Sequence, residues 1–449
     1  MNQSSQTQLH KMQRAILLAF LAVALSLVFW AVVRGEAILA RDDNPRLVEA
    51  ELRIQRGRIL DRNGTVLAET VGEPDALVRT YPFPTIGPAV GYYSFRHGTG
   101  GIEAGFDAVL RGEDEGITAV LNRELFHTPQ IGRDVQLTLD ANLQTSAEAL
   151  FGEAHGGLVL LEIATGSVLA MVSHPGYNPN LLDENFDELV ADETAPLLNR
   201  AVQGQYQPGL VLQPFILAAA LDADRIQLDG TVLNPNRPVP VNGEIKRCQT
   251  APPDAATWAD VLSHRCPGPM QDLADRLGLA GLDDIFLALS LATPPELPLS
   301  TELPEIVPLN DPLQAGIGQD TLTVSPLQVA LALAALGHDG RLPTPRLVTA
   351  VQDENGAMQP PPDVATTSDA VTSRAARDIR QLLSSSDGQL SFSVSALSGP
   401  DSRNGWYLAL TPADEPRYAI VVVVEESEDL ALVERIGVGV ETAVAQQNN

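Results

Sequence analysis

The sequence predicts an α+β protein in which an antiparallel sheet is sandwiched by helices. Three observations lead there. Short apolar strands pair as hairpins at both ends of the main region, segments with helical spacing fill the middle, and one strand, Ala419–Val424, is apolar without polar alternation. A strand of that last kind is covered on both faces.

The elements follow in chain order. Ala15–Val33 is a run of 19 residues interrupted only by Ser26, long enough at about 1.5 Å per residue to reach roughly the hydrocarbon thickness of a bilayer. Lys11 and Arg14 precede it with no acid in the first 33 residues, so the positive-inside bias keeps residues 1–14 cytoplasmic. A cleavable signal peptide is the competing reading; the length of the run and the lack of a small-x-small site disfavour it. Between Arg56 and Ala68, Asn63-Gly64 separates two apolar stretches, a hairpin signal. Glycines crowd Gly87–Gly105 and predict loops and bends. Val135, Leu137 and Leu139 alternate, and helical spacing begins after Asp140, which fits an N-cap. Gly157–Ile163 and Val168–Met171-Val172 read as a second hairpin, and Trp406–Leu410 with Tyr418–Val424 as a third. Helical stretches are predicted over Pro214–Leu221, Met270–Leu277, Ser325–Leu336 and Ser373–Leu383, and Thr293–Pro312 as a Pro-rich loop.

The chain has 449 residues, 44% of them hydrophobic and 19% charged, enough for two or three domains. A net charge of −28 argues against nucleic acid or an anionic membrane surface as partner, because both would repel it. The two cysteines, Cys248 and Cys266, lie beyond the apolar run, where an oxidising compartment favours a disulfide over free buried thiols. They lack the histidines of a zinc site. No metal-ligand cluster and no phosphate cradle is present, so neither metal nor cofactor is expected.

Several ordered segments carry a family resemblance: Asn44-Pro45-Arg46, Arg56–Ala68, Tyr81-Pro82, Gly100–Gly112, Thr165–Pro175 with Asn178-Pro179-Asn180, Leu198–Ala201, Tyr206–Gly209, Ile317-Gly318-Gln319 and Thr323–Ala330. Together they resemble class B penicillin-binding proteins, the single-anchor cell-wall transpeptidases, and most of all the short penicillin-binding-protein-A-type branch. The resemblance implies a serine-transpeptidase/β-lactamase-like domain at 134–449, preceded by a transmembrane helix at 15–33 and an extended N-terminal pedestal of the class B dimerisation type at 34–133.

The family's chemistry needs Ser-x-x-Lys at a helix start, Ser-x-Asn, and Lys-Thr-Gly on an edge strand. Serine is the nucleophile and lysine its proton acceptor or part of the relay. The lysine and threonine of the last motif meet the donor's terminal carboxylate. At the matching positions stand Leu210 and Gln213, Arg265-Cys266-Pro267, and Leu397-Ser398-Gly399. An alkyl group cannot attack a carbonyl, and a neutral amide cannot accept a proton near neutral pH. No register shift restores the motifs: the only lysines are Lys11 and Lys246, with Gly243 three residues before Lys246 and Arg247-Cys248 after it. Ser402-Arg403-Asn404 is the one Ser-x-Asn and lies past the third motif.

These losses beside an intact anchor and pedestal predict a pseudo-transpeptidase of peptidoglycan synthesis, single-pass in the bacterial plasma membrane with its C-terminal domains outside. It would act as scaffold or regulator toward a lipid-linked glycan polymerase or division proteins. Two other readings stay open: a module that binds peptidoglycan stem peptides without cleaving them, and an active D,D-transpeptidase with a relocated nucleophile, for which His264 and Ser398 are the candidates. His264 is otherwise a loop side chain, His174 belongs to a turn, and Arg265 is either an anion contact in the cleft or one half of a salt bridge.

Overall fold

The computed structural model describes residues 3–29, 53–73, 76–113, 130–299, 307–361, 366–384, 388–399 and 402–447. Two compact units are present, residues 1–54 with 72–77, and residues 55–71 with 78–449.

In the first unit, helix α1 (Gln3–Val28) contains the start of the predicted span. Residues 30–33 of that span lie outside the described residues, as do 34–52 of the predicted pedestal. Among the described residues no helix is long and apolar enough to cross a membrane.

The second unit opens with the predicted Asn63-Gly64 hairpin. β1 (Ile59–Leu60) pairs antiparallel with β2 (Val66–Val71), and Gly64 takes a φ of 85° in the turn. Asp61 organises that turn from inside: one carboxylate oxygen accepts from the Asn63 and Thr65 amides at 2.7 Å each, the other from the Ala141 amide. β3 (Val78–Thr80) extends the pair. The glycine-rich stretch is more ordered than predicted. Its glycines build β4 (Gly91–Ser94) and β5 (Gly98–Gly101), a hairpin whose strands approach so closely that a Cβ on Gly91 would lie 1.9 Å from the Gly100 oxygen. Glycine is required there by contact, a demand that composition alone reads as looseness.

Arg56, Arg79, Tyr81 and Glu103 lock this region together. Glu103 is fully buried, takes an Arg79 bond at 2.6 Å and an Arg56 bond at 3.0 Å, and accepts from the Tyr81 hydroxyl at 3.1 Å. Burial pushes its carboxyl up, but the two guanidinium groups outweigh that and hold it below the usual range.

β6 (Val135–Leu137) pairs parallel with β1 and antiparallel with a later strand, so one six-stranded sheet crosses residue 134. Helix α2 (Ala141–Ala149) follows, capped as predicted by Asp140, which accepts from the Asn142 and Leu143 amides. β7 (Gly156–Glu162) and β8 (Ser167–His174) form the second hairpin. Helix α3 (Gln213–Asp222), the hairpin β9 (Val239–Val241) and β10 (Glu244–Lys246), and helices α4 (Trp258–Ser263), α5 (Pro267–Ala288) and α6 (Pro326–Gly337) come next. α5 reaches well beyond the predicted Met270–Leu277; Gly278, at φ 70°, marks the kink where the pattern breaks. α6 starts on a Ser325–Gln328 capping box. Four short strands follow: β11 (Arg341–Pro343), β12 (Val348–Gln352), β13 (Met358–Gln359) and β14 (Thr367–Asp369); β12 pairs with β6, and β13 forms the edge of that six-stranded sheet. After helix α7 (Ser373–Leu382) come β15 (Leu390–Leu397), β16 (Arg403–Thr411), β17 (Tyr418–Val424) and helix α8 (Leu430–Gln447).

The main sheet is antiparallel in the order β15-β16-β17-β7-β8. β17 is buried on both faces as its sequence requires. Ala419, Val421 and Val423 enter the large core with α3 and α6, while Ile420, Val422 and Val424 enter a second core under α2 and α8. This is the predicted sheet between helical layers.

Candidate functional site

The site forms where α3, β15, the β9–β10 hairpin and the start of α5 converge. Gly209 begins a short 3-10 turn leading into α3 at a φ of 55°. A Cβ there would lie 2.7 Å from the Ala396 Cβ, and the Gly209 amide donates to the Gly318 carbonyl at 2.9 Å. The turn is therefore pressed against both β15 and the Ile317-Gly318-Gln319 loop. Leu210 projects half-buried into the cleft, while Val211 and Leu212 are fully buried in the core.

Gln213 is fully buried behind Leu210. Its amide nitrogen donates to the Val261 carbonyl at 2.9 Å, and its amide oxygen has no partner. The second motif position lies at the α4–α5 junction. Arg265 sits at a φ of 49°, Cys266 is buried, and Pro267 opens α5, where its missing N–H costs nothing. Cys248 and Cys266 are disulfide-bonded, tying the loop after β10 to the start of α5. Each bonded cysteine is preceded by an arginine, Arg247 and Arg265. At the third position Leu397 ends β15, an edge strand, and is buried. The Ser398 hydroxyl bonds the Ser402 hydroxyl at 2.9 Å.

A cavity of about 170 Å³ remains open, and Leu210, Arg265, Pro267 and Leu397 all line it. Gln213, Ser398 and Gly399 do not. The relocated-nucleophile candidates are not assembled there either: His264 bonds the Thr250 hydroxyl at 2.7 Å, Ser398 bonds Ser402, and neither lines the cavity. Among the described residues no group of histidine, cysteine and carboxylate side chains could hold a metal.

Sequence reading missed Lys246, Arg247, Gln319 and Ser395, which also line the cavity. The Ser residues of β15 alternate with Leu390, Phe392, Val394 and Ala396, and that period of two was the signal for both the strand and Ser395. Lys246 pairs with Glu244 at 2.8 Å, an acid also held by Arg403 at 2.6 Å. Among the described residues Arg265 forms no salt bridge of the kind considered from sequence. Its guanidinium lies 4.8 Å from the Phe392 ring centroid and donates to the Ser263 carbonyl at 2.7 Å. Burial lowers its pKa, and Glu434, which binds Ser393, only partly offsets this.

The edge strand beside a helix that starts at the cleft floor is the arrangement of serine transpeptidases and β-lactamase-like enzymes. The chain belongs to the penicillin-binding protein transpeptidase family: it matches the penicillin binding protein transpeptidase domain over residues 156–447, and the penicillin binding protein A dimerisation domain over 56–132. It is 28% identical over 474 residues to the peptidoglycan D,D-transpeptidase PbpA of Mycolicibacterium smegmatis, covering 94% of each protein. It is 28% identical over 297 residues to the peptidoglycan D,D-transpeptidase MrdA of Escherichia coli K12, covering 58% of this chain and 46% of that one. Among solved structures, penicillin-binding protein A from M. tuberculosis as an imipenem acyl-enzyme complex superposes with a TM-score of 0.80 at 26% identity, covering 89% of this chain and 100% of the other.

Proposed function

We propose that the chain is a pseudo-transpeptidase of peptidoglycan synthesis: a non-catalytic scaffold or regulator anchored once in the bacterial plasma membrane through residues 15–33, with residues 34–133 as its pedestal and 134–449 outside. The observation that carries this reading is the pair Leu210 and Gln213. Leu210 offers an alkyl group where the family places its nucleophile, and the Gln213 amide is fully buried and engaged with the Val261 carbonyl. Neither supplies the alkoxide or the base that acylation needs. The partner class is a lipid-linked glycan polymerase or division proteins, contacted through the anchor and pedestal.

The chemical half of the proposal is tested with fluorescent penicillin on the full chain in detergent, beside the M. smegmatis PbpA. We expect a labelled band for the relative and none here; a covalent adduct seen by intact-mass spectrometry would refute the inactive reading. The scaffold half is tested by affinity capture from cells. If deletion of residues 34–449 left the recovery of wall-synthesis proteins unchanged, that half would be wrong. A second reading, a stem-peptide binding module without catalysis, is favoured by the open cavity and its cationic lining.

A further inference from the structure

We propose that a second cavity, farther along β15 than the cleft, binds a free amino acid with an apolar side chain, its α-carboxylate meeting Arg265 and its α-ammonium meeting Glu434. The proposal is independent of whether the cleft acylates.

The division of β15 between two spaces is the first observation. Residues 394–397 line the cleft, while Ser391, Phe392 and Ser393 line a separate cavity of about 320 Å³, bounded also by the ends of α4 and α7 and by α8. Among the described residues Arg265 is the one member common to both linings. Its contacts assign its guanidinium to the second. It donates to the Ser263 carbonyl at 2.7 Å and lies 4.8 Å from the Phe392 ring centroid, and both of those residues line that space.

The second observation is a pair of opposite charges that are held apart. Glu434 also lines the cavity, and the Ser393 hydroxyl fixes its carboxylate at 2.5 Å. Arg265 is fixed by the Ser263 carbonyl and the Phe392 ring, and its Nε is buried without a partner. Glu434 acts on Arg265 through space, yet the ion pairs among the described residues include neither of them. A partly desolvated cation without a counter-ion in contact weakens the fold until something anionic meets it. Burial accordingly lowers the Arg265 pKa, and Glu434 offsets this only in part. One fixed cation and one fixed carboxylate on the same small cavity, each unpaired, are complementary to a zwitterion. A guanidinium suits the carboxylate end of such a ligand, because its planar fork matches that geometry.

The third observation is what surrounds the charges. Leu262, Leu382, Leu383 and Phe392 line the same cavity, so a ligand held by its two charges has apolar surface against which to bury a side chain. Hydroxyl groups of Ser391 and Ser393 supply the remaining polarity from the strand. The volume admits a single amino acid, and nothing in the arrangement forms or breaks a covalent bond.

The test is isothermal titration of the detergent-solubilised full chain with L-leucine and with D-leucine. Leucinol, 4-methylpentanoate and glycine serve as probes that lack the carboxylate, the ammonium and the apolar side chain in turn. We expect saturable one-to-one binding of at least one leucine enantiomer, with each of the other three weaker by about tenfold or more, the worth of one hydrogen bond to a charged group or of a buried alkyl chain. Arg265→Gln should weaken leucine by about tenfold without weakening leucinol, and Glu434→Gln by about tenfold without weakening 4-methylpentanoate. Glu434 is exposed, so Glu434→Gln carries the test even if Arg265→Gln perturbs folding. Arg247 lines the cleft and not this space, so Arg247→Ala should leave leucine binding unchanged. The proposal is overturned by no saturable heat for either enantiomer, by equal affinity for any of the three reduced probes, or by indifference to Glu434→Gln. A loss on Arg247→Ala as large as that on Glu434→Gln would overturn it too, since the ligand would then sit in the cleft.

Discussion

Removing the Glu103 carboxylate should cost more stability than any other single side-chain deletion in the pedestal. Its side chain is 0% exposed, and those of its partners Arg56 and Arg79 are 2% and 3% exposed. In Glu103→Ala, Arg79 loses its only carboxylate among the described residues, keeping the Gly57 carbonyl at 2.7 Å and the Thr70 hydroxyl at 3.3 Å. Arg56 fares better because Asp107 remains at 2.7 Å. Breaking a buried pair from one side costs about 3–5 kcal/mol, and the Tyr81 hydroxyl, which still accepts from the Tyr93 amide but loses its own acceptor, adds about 1 kcal/mol. The residual Asp107 contact argues for the lower part of that sum, about 4 kcal/mol. The pH dependence has a definite sign. Because the folded state holds the Glu103 carboxyl below its ordinary value, this stabilisation is fully present above the unfolded-state pKa of about 4.3 and is lost as pH falls from there through the folded value. Urea titration of the full chain, with hydrogen exchange read over β1 to β3 to localise the transition, measures both quantities. A loss under about 1 kcal/mol, or acid-limb slopes that match in parent and Glu103→Gln, would refute the view that this carboxylate neutralises two buried cations.

Gly209→Ala should destabilise by about 3 kcal/mol, combining about 1 kcal/mol for a left-handed alanine with about 2 kcal/mol for overlap against Ala396; a melting temperature within a degree of the parent would mean that the turn has room to move. Replacing both cysteines by serine should lower stability by about 3 kcal/mol, since the bond closes a separation of 18 residues. Equilibrium unfolding with and without reductant checks this, and a reductant effect on the parent that persisted in the double serine variant would show another cause.

Much of the frame was legible because local chemistry and tertiary demand coincide. Asn63-Gly64 needed only its own turn preference, Asp140 its own carboxylate, and the run Ala419–Val424 its lack of polar residues. That Leu210 carries no hydroxyl and Gln213 no amine is likewise a property of single residues. The failures share the opposite character. Gly91 and Gly101 are ordered by strands pressing on them, which glycine content does not report. α8 was passed over although Val433, Ile436, Val440 and Val444 recur at helical spacing. That Arg247 and Arg265 line one cavity was not legible because they are 18 residues apart. The stacking of Arg265 on Phe392 likewise joins residues distant in sequence, and no spacing rule brings them together.

The Cys248–Cys266 bond joins two segments that border the same cavity, Arg247 before one cysteine and Pro267 after the other. Cross-linked, these two rims are set against each other once, as the chain folds. Thiol reduction would free the loop after β10 from the start of α5, and the opening would change width there before the sheet behind it changed.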